Sequence, residues 1–326
     1  MGSSKLLPLL YYPRVLHHGP RSSDVLFPDL LMMASNNNGI SKNTFVPKQA
    51  MAPTPALYDT LVGDGMENLA KITVSEIAHI EEGSVILDAG CGTGAGTIAL
   101  LESTSSGVPV SVTGADINAA SLDIYKRKAV ENAWPAKAVL ADVGDLAASF
   151  SDSTFSHVIG TAFIFVLPDN GASAMKEIFR VLKPGGVVAL NSWFHVPTVG
   201  PLRIASQRTR PSGTPEIRGG TDQWSDPEFL KSAILRAGFS SDNIKVVQRD
   251  VYCTAAELNH YANMLWSFIG GSISDGWLQS DEENWDKAIE IIKEELSRDG
   301  GFQLLEDGKV GLKFVANIAI ATKQHT

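Results

Sequence analysis

The sequence of 326 residues has few cysteines, no excess of basic charge and no long apolar run, and each shortage excludes a class of protein. Two cysteines, Cys91 and Cys253, are too few for a disulfide framework and favour a reducing compartment. Lys and Arg number 27 against 36 Asp and Glu, a formal net charge of −9, so the basic surface typical of nucleic-acid binding is missing. No run of about 18 apolar residues offers a membrane span. We therefore predict a cytoplasmic protein without nucleic-acid or membrane partners, and a homodimer stays open.

Residues 1–44 differ in composition from the rest of the chain. They carry "KLLPLLYYPRVLHHGP" followed by "SNNNGISKN". The apolar run is interrupted by Pro8 and no small-residue cleavage site follows it, which disfavours a secretory signal. An organelle presequence stays open because three basic residues precede most of the acids: Lys5, Arg14 and Arg21. The composition favours a disordered extension, with an ordered domain over residues 45–326.

The hydrophobic pattern alternates between helical and strand-like segments. One or two helices are predicted over residues 56–82. The predicted strands that follow are 85–88, 110–116, 138–142, 155–161 and 187–194. The predicted helices between them are 97–102, 119–132 and 172–182. Strands that alternate with helices favour an α/β fold with a parallel sheet covered on both faces.

The pattern loosens after Phe194. Residues 195–220 contain four prolines and four glycines, which predicts a long connection. Further predicted elements are a helix at 226–239 capped by Asp226 or Ser225, a strand at 244–252, helices at about 255–269 and 281–298, and a last strand at 310–323. The helical segments at about 196–240 and 253–300 would form a lid.

The segment "VILDAGCGTGAGTIAL", residues 85–100, predicts a strand, a glycine loop and a helix. Such a unit binds nucleotide-like ligands, because glycines allow close approach and the helix presents free N–H groups. Gly90, Gly92 and Ala95 satisfy the dinucleotide pattern G-x-G-x-x-G/A, and Asp116 follows at a suitable distance for a ribose. The loop alone therefore leaves an NAD-binding protein open.

Three acids help to distinguish the ligands. Asp88 ends the first strand, where it would repel a pyrophosphate and attract a cationic amino group. Asp116 and Asp142 follow the second and third strands, and open α/β sheets bind ligands at that edge. Together the three carboxylates suit a cationic ligand with hydroxyls and an adenine amine. Asp116 and Asp142 could instead cap loops.

Four segments resemble a known family. In chain order "VILDAGCGTG", "VTGADIN", "LADV" and "RVLKPGG" resemble the motifs of class I S-adenosylmethionine (SAM) dependent methyltransferases. The resemblance covers about residues 55–195. It implies a Rossmann-like, seven-stranded, mostly parallel sheet with an antiparallel last strand, and SAM as the cofactor. The implied contacts are Tyr58 over the methionine carboxylate, Gly90, Gly92 and Gly94 along the methionine, Asp116 on the ribose hydroxyls, Ile117 on the adenine face, and Asp142 with Val143 on the adenine.

The end of the fourth predicted strand bears on the methyl acceptor. The Asn/Asp-Pro-Pro-aromatic motif, typical of enzymes that methylate DNA bases or amide nitrogens, is replaced by "GTAFIF". This favours an apolar pocket that uses Phe163 and Phe165. Alternation along the fifth strand places Asn191, Trp193 and His195 on one face, so His195 at the open end is the candidate general base. No metal-ligand cluster is recognisable.

The "PxLYD" helix, the "KPGG" turn and the helical lid are similar to those of stand-alone methyltransferases of fungal secondary metabolism. We predict methylation of a small, largely apolar acceptor, with oxygen favoured over nitrogen or carbon. A SAM-binding enzyme that catalyses cyclisation or rearrangement without methyl transfer is one alternative, and an NAD-binding reductase is another.

Overall fold

The computed structural model describes residues 44–78, 80–104, 109–217, 222–269 and 276–325. The predicted N-terminal extension, residues 1–44, lies outside the described residues except for Thr44. The described helices are α1 (Pro55–Val62), α2 (Gly65–Ser75), α3 (Ala95–Ser103), α4 (Ala119–Glu131), α5 (Ala172–Val181), α6 (Val199–Thr209), α7 (Pro227–Arg236), α8 (Leu258–Ile269), α9 (Gln279–Glu283) and α10 (Trp285–Ser297). Within these ranges, no helix is long and apolar enough to cross a bilayer.

The described strands form one sheet. They are β1 (Val85–Ala89), β2 (Ser111–Asp116), β3 (Ala136–Leu140), β4 (Phe155–Gly160), β5 (Leu182–His195), β6 (Ile244–Glu257), β7 (Gln303–Leu304) and β8 (Lys309–Thr322). The order is β3-β2-β1-β4-β5-β8-β6, and β7 pairs with β8. Strands β1 to β5 pair in parallel, whereas β8 is antiparallel to β5 and β6. This confirms the predicted Rossmann-like sheet with an antiparallel last strand, and the two-residue β7 adds an unpredicted eighth strand to the described part.

Helices cover both faces of the sheet because successive strand residues point to opposite sides. Leu87 and Val188 lie in an apolar cluster with buried residues of α5 and α7. Their chain neighbours Ile86 and Ala189 lie in a second cluster with α2 and α3. The short apolar strands β1, β2 and β4 are therefore almost entirely buried, as is typical of parallel sheets, whereas β3 at the edge is partly exposed.

A third apolar cluster forms what we call the cap: helices α6, α8 and α10 with the adjoining ends of β6 and β8. The pairing of β8 explains its position. Strand β6 pairs with residues 309–321 of β8, whereas β5 pairs with residues 315–322 only. The last residues of β6 and the first of β8 thus continue their ladder beyond the end of β5, at the edge of the sheet where the parallel strands end, and the cap packs there.

The prediction of a long connection over residues 195–220 was wrong in part, because α6 lies within it. Pro201 occupies the first turn of α6, where its missing N–H costs no helical hydrogen bond. Leu202 and Ala205 anchor the helix in the cap with 0% exposure. The third strand also lies two residues earlier than predicted, at Ala136–Leu140.

Candidate active site

A cavity of about 370 Å³ lies at the carboxyl ends of β1, β2, β4 and β5. It is closed by α1, the first turn of α2, residues of the cap, and β8. The strand order reverses between β1 and β4, and open α/β sheets bind ligands at such a switch point. The topology and the cavity therefore indicate the same site.

The loop from β1 to α3 forms one end of the cavity. Gly90 and Gly92 have φ angles of 66° and 50°, in the left-handed region that favours glycine. Gly92 lines the cavity, and a Cβ built on it would meet no atom within 4 Å. Gly94 has another role: it caps α3 with φ 103°, and a Cβ there would lie 3.1 Å from the Trp134 ring. The loop thus leaves open space for a ligand beside Gly92, whereas Gly94 serves packing.

Asp88 lies next to this loop, and its side chain is buried. Its Oδ2 accepts a hydrogen bond from Thr97 Oγ1 at 2.8 Å, and Thr97 Oγ1 is also 2.8 Å from the Tyr125 hydroxyl. A Cβ on Gly96 would lie 2.6 Å from Asp88 Oδ1, so α3 approaches this closely only with glycine there. Burial raises the pKa of the Asp88 carboxyl to about 7, and the nearby Asp116 carboxylate adds to this. A cationic ligand would favour the ionised carboxylate.

Asp116 ends β2 and is 5% exposed. Its Oδ2 accepts from Gly92 N and its Oδ1 from Asn118 N, both at 2.8 Å. Burial raises the pKa of this carboxyl, and the backbone N–H groups oppose that effect. Each oxygen retains capacity to accept a further hydrogen bond, as the two hydroxyls of a ribose require.

These groups fit SAM. Two carboxylates, Asp88 and Asp116, line the cavity together with the open space at Gly92. A pyrophosphate would be repelled by both acids, while the cationic centres of SAM would be attracted. Among the described residues, Lys128 supplies the one basic side chain of the lining. The side chains that line the cavity therefore suit a cationic nucleoside better than a dinucleotide.

The cavity brings together five of the residues predicted to hold the cofactor: Tyr58, Asp88, Gly90, Gly92 and Asp116. The Tyr58 ring also contacts Phe268 of the cap, with 5.7 Å between centroids, and so joins α1 to α8.

Four predicted cofactor residues are not among those lining the cavity: Gly94, Ile117, Asp142 and Val143. Asp142 lies two residues beyond β3 and is exposed. Its carboxylate accepts a hydrogen bond from Gly144 N at 2.7 Å, which agrees with the alternative that this residue caps a loop. Val143 belongs to the apolar core. Ile117 is 49% exposed beside Asp116, so its side chain is accessible to a planar group.

His195 is not among the cavity-lining residues either, and the cause is a β-bulge. The register between β5 and β8 shifts between Trp193, opposite Ala316, and His195, opposite Val315. The predicted alternation therefore breaks: Trp193 lines the cavity, whereas His195 Nε2 lies 3.1 Å from Asp299 Oδ2 with 45% of its side chain exposed. We give His195 no part in the function proposed below.

The end of β4 is held in an uncommon conformation. Ala162, which lines the cavity, has φ 55°, and its N–H donates to Asn191 Oδ1 at 2.8 Å. Asn191 Nδ2 in turn donates to Thr73 Oγ1 of α2 at 2.9 Å. A non-glycine residue in this region needs such support, and its occurrence at a cavity is typical of functional sites. Asn191 thus shapes the wall that Trp193 continues.

The far end of the cavity is apolar. The rings of Trp193 and Phe314 pack there at 5.2 Å between centroids. Phe163 and Phe165 also line the cavity, as expected, and Phe163 packs beside Gly90 of the glycine loop. Leu265 of α8 adds to this wall.

Sequence reasoning missed the part of this wall that comes from β6 and β8: Val251, Cys253 and Phe314. The alternation of buried and exposed residues in "VYCTA", residues 251–255, was the available signal.

Comparisons with known proteins agree with this geometry. The family described as "Methyltransferase domain" matches residues 86–186. Methyltransferase tpcH of Aspergillus fumigatus is 25% identical over 265 residues, which cover 77% of this chain and 89% of that protein. Methyltransferase ktnA of Aspergillus niger is 26% identical over 241 residues, 66% of this chain and 78% of that protein. Demethylmenaquinone methyltransferase of Staphylococcus epidermidis is 38% identical over 117 residues, which cover 35% of this chain and 45% of that protein. The family match includes the glycine loop, Asp88 and Asp116.

Proposed function

Since the chain is a class I SAM-dependent methyltransferase of the secondary-metabolism type, we propose that it methylates an oxygen of a small, neutral and largely apolar acceptor. The observation that carries the proposal is the continuity of the cavity. One space joins the glycine loop and its two carboxylates to a wall of Trp193, Leu265 and Phe314. A methyl donor held at the first end would face an apolar acceptor at the second.

The proposed cofactor contacts follow the chemistry of each group. Asp116 accepts from the ribose hydroxyls, because its oxygens are fixed by Gly92 and Asn118 and retain accepting capacity. Asp88 balances the cationic end of SAM. Further proposed contacts are Tyr58 over the methionine, the backbone at Gly90 and Gly92 beside it, and Ile117, Asp142 and Val143 around the adenine. We also propose that the cap serves as the lid over the acceptor.

When bound, SAM supplies a methyl group made electrophilic by the adjacent sulfonium. The protein supplies position and exclusion of water, which transfer from such a donor chiefly requires. The glycine loop positions the methyl donor, and the wall at Ala162 positions the acceptor. The apolar side chains keep water away from the reacting atoms.

An acceptor hydroxyl must also lose its proton, and we propose that Glu67 receives it. Glu67 lies in the first turn of α2 and lines the cavity. Within the described ranges its carboxylate makes no hydrogen bond, and the charge that acts on it is that of Lys71, one turn later. Lys71 itself pairs with Glu102 at 3.0 Å. The Glu67 carboxylate is therefore available to an acceptor.

The test is incubation with methyl-labelled SAM and a panel of neutral hydroxylated aromatics, aromatic amines and aromatic carboxylic acids. We expect methyl ethers, with S-adenosylhomocysteine formed in equal amount. Glu67→Gln should slow transfer without changing the affinity for SAM, and Glu131→Gln, at the exposed end of α4, should change neither. A product with the same mass as the supplied acceptor would overturn the proposal. Methylation confined to the amines or the carboxylic acids would overturn it as well.

A further inference from the structure

A buried tyrosine in the cap lacks a protein partner for its hydroxyl. Tyr261 of α8 is 2% exposed and lines the cavity, as does Leu265 one helical turn later. Within the described residues the Tyr261 hydroxyl makes no hydrogen bond. Although the residue is buried, its hydroxyl oxygen is not fully enclosed by protein, which places it at the cavity surface. Tyrosine hydroxyls in largely apolar surroundings normally find a partner, because an unmade hydrogen bond costs free energy. This hydroxyl therefore marks a polar position that the protein alone does not complete.

The polar group that acts on Tyr261 within the described residues does not supply a partner. Cys253 of β6 acts electrostatically on Tyr261, but its thiol donates to Val62 O at 3.2 Å. Leu265 and Phe314 offer apolar atoms only. Since Tyr261 borders the cavity, the remaining place for a partner is the cavity itself.

The hydroxyl of Tyr261 acts as a donor there. Burial raises the pKa of this phenol, so it stays protonated. A protonated phenol in an apolar wall recognises an oxygen that accepts a hydrogen bond, such as a carbonyl. An anionic oxygen is disfavoured because acids outnumber bases in the lining, with Asp59, Glu67, Asp88 and Asp116 against Lys128.

We propose that Tyr261 positions the methyl acceptor by donating a hydrogen bond to a neutral oxygen of an aromatic compound. This inference rests on the proposed function, because it assigns the apolar end of the cavity to the acceptor. It adds that the acceptor carries a second oxygen besides the one that is methylated. Tyr261 thus selects among apolar compounds by a single polar contact.

A matched pair of probes tests this without methyl transfer. 2-Acetylnaphthalene carries one carbonyl, and 2-ethylnaphthalene has a similar shape without it. Binding of each is measured by equilibrium dialysis in the presence of S-adenosylhomocysteine. The wild type should bind the carbonyl compound about three- to tenfold more tightly, the range expected for one neutral hydrogen bond. Tyr261→Phe should abolish this preference, while Tyr252→Phe, at a 61% exposed position on β6, should keep it.

The outcomes separate the two proposals. A preference that persists in Tyr261→Phe, or equal binding of both probes to the wild type, would overturn the role of Tyr261 and leave the apolar acceptor site standing. If neither probe binds the wild type, the proposed apolar acceptor fails, and the role of Tyr261 fails with it.

Discussion

Two buried tyrosines lie near opposite parts of the cavity and differ in their hydrogen bonds: Tyr261 lines the cavity, whereas Tyr125 packs in the core behind Asp88. At the cofactor end, the Tyr125 hydroxyl bonds to Thr97, which bonds to Asp88. At the acceptor end, the Tyr261 hydroxyl has no partner among the described residues. The cofactor end is preorganised by its own contacts, whereas the acceptor end is completed by what it binds. A site that discriminates between substrates gains from such an unpaired group, because the wrong ligand leaves it unsatisfied.

The largest effect should come from the preorganised end. Asp116→Ala removes the acceptor of two backbone N–H groups and, under the proposed function, of the ribose hydroxyls, so SAM affinity should fall by about 1.5–3 kcal/mol, roughly 10- to 150-fold. Calorimetric titration with SAM measures this. Asp123→Ala, at an exposed position paired with Lys126, is the control. An unchanged SAM affinity in Asp116→Ala would show that the cofactor end of the cavity does not depend on this carboxylate.

Gly96→Ala should perturb the same end through packing. The new Cβ would meet Asp88 Oδ1 at 2.6 Å and displace a buried carboxylate. We expect SAM affinity to fall by roughly 1–2 kcal/mol, in the range of overpacking effects. Gly200→Ala is the matched control, since it also lies in a helix and its Cβ would meet nothing within 4 Å. Equal affinities for both variants would mean that Asp88 tolerates displacement.

The pH dependence should follow Asp88. Its pKa of about 7 in the folded protein lies above the ordinary value of 3.8, so the folded state keeps a proton that the unfolded state loses between these values. The free energy of unfolding of the cofactor-free protein should therefore fall as pH rises from about 4 to 7. A cationic ligand favours the carboxylate, so SAM should bind about tenfold more tightly at pH 8 than at pH 6.

Asp88→Asn should remove this dependence of SAM affinity on pH. Titrations at pH 6, 7 and 8, with thermal unfolding of the cofactor-free protein, measure both effects. A wild-type affinity that is constant over this range would contradict the assignment of Asp88 to the cationic end of SAM.

The smallest effect compares the tyrosines directly. Tyr125→Phe loses a hydrogen bond to Thr97 and should lower the free energy of unfolding by about 1 kcal/mol. Tyr261→Phe loses no bond within the described protein, so its unfolding free energy should stay within about 0.5 kcal/mol of the wild type. Urea unfolding of both variants without ligand measures this. A similar loss in the two variants would show that the Tyr261 hydroxyl has a partner in the protein.

The cofactor end was largely predictable because its parts are close in sequence or repeat at strand ends. The glycine loop, Asp88 and Asp116 follow short apolar strands whose burial is evident from composition. Asp142 differs from these two acids: it lies two residues beyond the end of β3 at Leu140, accepts a hydrogen bond from Gly144 N and does not line the cavity. Its contact with the adenine therefore stays a proposal, and the two-residue shift of β3 could not be read from the sequence.

The acceptor end depends on contacts between distant segments. His195 is directed away from the cavity by a bulge in the pairing of β5 with β8, and the partner residues lie about 120 positions later in the chain. No local pattern in β5 encodes that register shift, because a bulge depends on the strand opposite. The unpredicted helix α6 also depends on distant segments, because the burial of Leu202 and Ala205 in the cap stabilises it.

The sequence by itself determined the alternation of strands and helices and the charge around the glycine loop, because strand burial and loop conformation depend mainly on neighbouring residues. Only the tertiary structure decided which side chains line the apolar part of the cavity. Trp193, Cys253, Tyr261 and Phe314 come from three strands and a helix, and their meeting depends on the register of β5, β8 and β6 and on the packing of α8. Long-range pairing sets that geometry, and a linear pattern does not contain it.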